Sequence, residues 1–106
     1  MGSITIINKY HCDDPDSFYI GRGSPLGNPY TVKQYGRDRA IALYEPWLEE
    51  QIAKGNGVVI DALDEIANKL LRTGEAKLKC FCAPKPCHGH IIKDLVIKTI
   101  KEMQHA

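Results

Sequence analysis

No stretch of this chain approaches the eighteen or so consecutive apolar residues of a membrane-spanning helix, so none is expected. The N-terminus also lacks the positive and apolar regions of a signal peptide, which makes a cytoplasmic location the expectation. Met1-Gly2-Ser3 opens like a myristoylation motif, but Ile6 stands where that motif wants Ser or Thr. A surplus of one charge is missing too. With 14 basic and 13 acidic side chains the balance is +1, so no global field draws the protein to nucleic acid or anionic lipid. The two common phosphate fingerprints, G-x-G-x-x-G and a loop ending in G-K-[ST], are both absent. Only four cysteines are present, and in a reducing compartment they read as metal ligands, reactive thiols or core residues rather than disulfides. No internal repeat or linker is visible.

What remains is 106 residues, 43% hydrophobic and 25% charged, enough for one core and so a single domain over residues 1–106. Ile4 to Asn8 is β-branched and short, which predicts a buried first strand. Phe18 to Ile20 predicts a brief second strand after the turn cluster His11 to Ser17. From Arg37 to Lys54 the apolar residues Ala40, Ile41, Tyr44, Trp47, Leu48 and Ile52 recur at helical spacing, and Gly55 is placed to end the helix. Pro46 interrupts this pattern and predicts a kink, or two short helices meeting at Glu45. A further helix is expected from Val58 or Asp61 to Arg72, with Val58 to Ile60 open to a strand reading. Lys77 to Cys82 alternates as a strand does, with Leu78, Cys80 and Cys82 on one face. The last helix carries Ile91, Ile92, Leu95, Val96, Ile100 and Met103 as an apolar stripe. Strands separated by helices imply a small α/β domain, a mostly parallel, Rossmann-like sheet with helices packed on it in two or three layers. In such sheets ligands bind outside the C-terminal ends of the strands, where both segments discussed next would lie.

Residues 80–90 hold three of the four cysteines and two of the four histidines. Cys87 and His88 open the last helix, where unpaired amides and the helix dipole favour negative charge. Cys87 is therefore a candidate nucleophile and His88 a candidate base, or the same amides would hold a phosphate or carboxylate. A zinc reading uses Cys80, Cys82, Cys87 and His88 or His90, with His11 or Cys12 as an alternative ligand from across the fold. Against it, the C-x-C pair on one strand face gives a bite of roughly 6.5 Å, wide for a single ion. The bland alternative makes Cys80 and Cys82 buried core residues and leaves only Cys87 and His88 touching solvent.

The other segment, Gly21 to Tyr30, is too rich in glycine and proline for regular structure. Its glycines, Gly23 among them, let backbone approach a ligand, Ser24 and Asn28 offer polar groups, and Arg22 suits a phosphate or carboxylate. A rigid surface turn would need the same residues. Arg37 and Arg39 add charge nearby, and Tyr30 or Tyr35 would cover a planar ligand. Tyr44 and Trp47 fall on the apolar stripe and read as core.

Three stretches together resemble DUF4326, a bacterial and bacteriophage family of unknown function. They are Tyr19 to Tyr30 with Gly27-Asn28-Pro29, Arg39 to Leu48, and Leu78 to His88 with its Cys-Phe-Cys and Cys-His pairs. The resemblance covers nearly the whole chain. It implies a phage setting and one site built jointly from Arg22, Ser24, Asn28, Cys82, Cys87 and His88, without naming an activity. His90 stands where the family pattern is acidic. The expected function is thus binding, with hydrolysis or group transfer as the available chemistry, of an anionic small molecule such as a nucleotide or nucleotide-derived metabolite. Arg22, Gly23, Ser24, Asn28 and Cys82 would bind it, and Cys87 and His88 would act on it. Nucleic acid and membrane are not expected partners. The alternative is a zinc-stabilised module docking on a host protein or nucleic acid, favoured by the lysines of the last third.

Overall fold

In the computed structural model, which describes residues 2–8, 14–81 and 87–104, the elements run β1 (Ser3–Asn8), β2 (Phe18–Tyr19), α1 (Val32–Tyr35), α2 (Arg37–Ala53), α3 (Gly57–Thr73), β3 (Glu75–Cys80) and α4 (Gly89–Gln104). The three strands form one sheet in the order β1-β3-β2, and both pairings are parallel. Chain positions 3 and 75 start the first pairing in register, and Tyr19 lies beside Lys79 in the second. A parallel α/β arrangement is what the alternation of strands and helices predicts.

β3 explains where the core sits. Ala76, Leu78 and Cys80 are buried while Glu75, Lys77 and Lys79 are not, so only one face of the central strand is covered with apolar material. The long helices α3 and α4 contact the sheet and each other, and α2 contacts both of them, which places the three together on that face. The result is two layers. Each helix contributes a stripe at the helical repeat: Ala40, Tyr44 and Leu48 from α2, Val59, Ile66 and Leu70 from α3, and Ile92, Val96 and Ile100 from α4. Each of the Val, Ile and Leu side chains among them, fully buried, stabilises the fold by roughly 1.5–3 kcal/mol in transfer terms. On the opposite face Lys77 meets Asp14 at 2.7 Å, and Lys69 of α3 meets Asp16 at 2.7 Å, tying residues 14–16 to the sheet and to α3.

Several local expectations change. α2 is one helix through Pro46 rather than two. Pro46 and Ala42, whose carbonyl loses its partner there, are both exposed, so water can take the lone acceptor while Tyr44 and Leu48 anchor the buried side. Residues 58–60 belong to α3, not to a strand. Gly74 ends α3 at φ 84° and donates to the Leu70 carbonyl at 2.8 Å, the left-handed termination that glycine permits without strain. α1 is one turn that the apolar pattern does not announce, capped by Thr31 Oγ1 accepting from the Gln34 amide at 3.2 Å. No helix among the described residues is long and apolar enough to cross a membrane.

Candidate functional site

β2 ends at Tyr19 and β3 at Cys80, and because they run parallel the segments that leave them emerge at the same edge of the sheet. The first is the glycine-rich loop, which keeps one more sheet bond, from the Ile20 amide to the Lys79 carbonyl at 3.0 Å. It then folds on itself. The Ser24 amide and Oγ both donate to the Gly21 carbonyl, at 3.1 and 2.7 Å, and the Gly27 amide donates to the Ser24 carbonyl at 3.0 Å. Gly21 cannot carry a side chain because a Cβ would run into the Tyr19 ring, and Gly27 packs directly on the Gly21 carbonyl. Asn28 then ties the loop to α2: Nδ2 donates to the Ala40 carbonyl at 3.0 Å, and Oδ1 accepts from the Tyr30 amide at 2.9 Å.

The facing wall is the start of α4. His88 is 7% exposed, its Nε2 lies 2.5 Å from the Ile20 carbonyl, and its ring stands edge-on to Tyr44 at 4.8 Å. A carbonyl only accepts, so Nε2 carries the proton and Nδ1 is left as the ring's lone pair. Nδ1 bonds to no described residue and is not buried away from all contact. Burial holds the His88 pKa below the usual imidazole value, partly offset by the Ile20 carbonyl, so the ring is neutral near pH 7. Cys87 and Cys80 are both buried, and their sulfurs lie 3.4 Å apart. The Gly89 amide points at Cys87 Sγ from 3.4 Å.

Tyr44 joins the two walls. It is fully buried in α2, touches His88 with its ring and donates its hydroxyl to the Leu26 carbonyl of the loop at 2.7 Å. Removal from water pushes its phenol pKa well above the ordinary value, so it stays a donor throughout the usable pH range.

Between the walls lies a cavity of about 140 Å³. Arg22, Asn28, Cys87 and His88 of the sequence-derived set line it, residues far apart in the chain. Gly23 and Ser24 do not: Gly23 turns outward at φ 92°, and Ser24 is engaged within the loop. Cys82 lies outside the described residues, as do His11 and Cys12. Cys87 and His88, which the bland reading left touching solvent, are both buried, and Cys80 is at the cavity wall rather than only in the core. His90 is elsewhere, in a larger hollow of about 240 Å³ between α2 and α4 with Glu45, Glu49 and Asp94. That hollow has more volume but only His90 from the two motifs, whereas the smaller cavity joins residues of both and is the better candidate. Among the described residues no group of three His, Cys, Asp or Glu side chains could hold a metal ion.

Sequence reasoning gave the lining residues Arg37 and Phe81 no firm part, and it missed the coupling through Tyr44. Arg37 had a visible signal, a cation at the N-terminus of a helix where an anion is preferred. The amides at the start of α4 depart from expectation. Gly89 points at sulfur, His90 donates to the Cys87 carbonyl, and Ile91 and Ile92 both donate to the His88 carbonyl. With these bonds made, the cations among the lining residues, Arg22 from the loop and Arg37 from α2, are the charged donors available to an anion in the cleft.

Fold and cavity together define a small parallel α/β domain with a cleft at the C-terminal edge of its sheet. The chain belongs to the family described as Domain of unknown function (DUF4326), whose pattern matches residues 7–98. It is 34% identical over 99 residues to the "Uncharacterized 12.4 kDa protein in nrdA-td intergenic region" of Enterobacteria phage T4, covering 92% of this chain and 81% of that protein. No solved structure matches the chain.

Proposed function

We propose that this domain binds an anionic small molecule, a nucleotide or nucleotide-derived metabolite, in the cleft between the glycine-rich loop and α4. The observation that carries this reading is that Arg22, Cys87 and His88 line one cavity. Further support comes from His88, a nearly buried side chain with an acceptor nitrogen that no described residue uses. The parallel sheet with its loops at one edge fits a Rossmann-like way of presenting a ligand. Arg22 pairs the anion, Asn28 fixes the loop, and Nδ1 of His88 accepts a proton or hydrogen bond from the ligand's buried end. Hydrolysis or group transfer is the chemistry these groups suit, with Cys87 as nucleophile and His88 as base.

Thermal shift with AMP, with and without chelator, tests the reading. AMP should raise the melting temperature of the wild type and leave Arg22→Ala unmoved. Absence of any shift in the wild type sinks the proposal. Collapse of the fold in chelator would favour a zinc-stabilised interaction module instead.

A further inference from the structure

We propose that the ligand is a nucleoside monophosphate bound with its phosphate between Arg22 and Arg37, its sugar in the cavity and its base stacked outside on Phe81. This rests on the reading above and specifies it. A cavity of about 140 Å³ is well below the roughly 300 Å³ at which pockets begin to enclose drug-sized ligands, so part of a nucleotide must remain outside. The depth of the cleft is graded: Cys80, Cys87 and His88 are buried, while Arg22, Val32 and Phe81 are exposed.

The phosphate belongs at the rim because the first amides of α4 already have local acceptors. Arg22 and Arg37 are the cations among the cavity's lining residues, one from the loop and one from the first position of α2. Arg37 opposes the dipole of its own helix, and α2 has no side-chain cap; a phosphate beside it would relieve both conditions. A guanidinium has five donors, so Arg37 can keep another contact and still hold a phosphate oxygen.

Phe81 supplies the surface for the base. It is 42% exposed, an unusual setting for phenylalanine, and Tyr19 meets its ring edge-to-face at a centroid distance of 6.0 Å. The hydroxyl of the same Tyr19 donates to the Arg22 carbonyl at 3.0 Å. One side chain therefore touches the Phe81 ring and holds the backbone that carries Arg22, which suits a ligand with an aromatic part and an anionic part joined by a short spacer.

Calorimetric titration of AMP, ribose 5-phosphate and adenosine against wild type, Phe81→Leu and Arg37→Ala tests each part. AMP should bind about tenfold or more tightly than ribose 5-phosphate to the wild type, the range expected of one stacked base. Phe81→Leu should erase that ratio while leaving ribose 5-phosphate affinity unchanged, and Arg37→Ala should weaken both phosphates while leaving adenosine unchanged. Equal binding of AMP and ribose 5-phosphate by the wild type, or a ratio that survives Phe81→Leu, overturns the stacking while leaving the anion site intact. Full phosphate affinity in Arg37→Ala overturns the two-arginine clamp. Failure of both phosphates to bind wild type removes the underlying reading as well. Circular dichroism of each variant separates loss of binding from loss of fold.

Discussion

The two walls of the cleft use their polar groups in opposite ways. On the glycine-loop wall, Ser24 and Asn28 are committed to the loop's own bonds, so their work is to shape and anchor it. On the α4 wall, His88 lines the cleft and commits one nitrogen to Ile20, while the other bonds to no described residue. Polar residues in a compact loop thus read as ligand groups in the sequence when their first duty is architectural. The polar group without a described partner lies on the wall whose residues, Cys87 and His88, are the more buried.

The comparison breaks most completely at Tyr44, which serves both walls. Tyr44→Ala should destabilise the protein by about 3–5 kcal/mol, the range for emptying a buried aromatic site. Tyr44→Phe separates the walls: the ring contact with His88 stays, and only the Leu26 carbonyl loses its donor, for about 1–3 kcal/mol. Denaturant melts of the two variants check this order, and a Phe variant as unstable as the Ala variant would refute the division. Asn28→Ala comes next, at about 1–2 kcal/mol for two lost hydrogen bonds, with the damage confined to the loop wall. Amide exchange should show faster exchange at Tyr30 and little change at the start of α4.

Much of this architecture was legible in the chain. The alternation of Leu78 and Cys80 announces the strand, the spacing of Ile92, Val96 and Ile100 announces α4, and two motifs that each follow a strand share one edge of the sheet. These features depend on local periodicity. Other features depend on contacts between distant residues, which periodicity does not encode. The stripe places Tyr44 in the core correctly, yet its hydroxyl reaches Leu26, eighteen residues away. Cys80 is buried as strand grammar predicts, but its place at the strand's end puts it on the cavity as well. Pro46 breaks a helix by propensity, whereas burial of Tyr44 and Leu48 on the opposite side keeps α2 whole.

pH sharpens the contrast from the α4 side. The folded-state pKa of His88 is lowered, so above about pH 6.5 neither state binds its proton and stability is at its full value. Below 6.5 the unfolded chain takes up the proton first, and stability falls until the lowered folded pKa is passed. Across that window each pH unit removes about 1.4 kcal/mol at most. His88→Gln retains a donor with similar reach to the Ile20 carbonyl and cannot titrate, so its unfolding free energy should lack this component. Parallel pH dependences of variant and wild type between 6.5 and 5 would contradict the assignment of His88 as a buried neutral ring.

The smallest effect is expected far from both walls, at Asp14 and Lys77 on the uncovered side of the sheet. The Lys77 ammonium, with the Asp16 amide next, holds the Asp14 carboxyl below its ordinary value of 3.8. The contribution is therefore fully present above that value and is lost as pH falls below it, a window separate from that of His88. Lys77 is 38% exposed at its side chain, and exposed pairs contribute little because water and salt screen them. Lys77→Met should leave the melting temperature at neutral pH and the affinity for AMP almost unchanged, with its difference from wild type shrinking further in molar salt. A large loss of AMP affinity in this variant would mean that the 14–16 segment communicates with the cleft. Such a loss would end the separation between a chemical edge of the sheet and a merely solvated face.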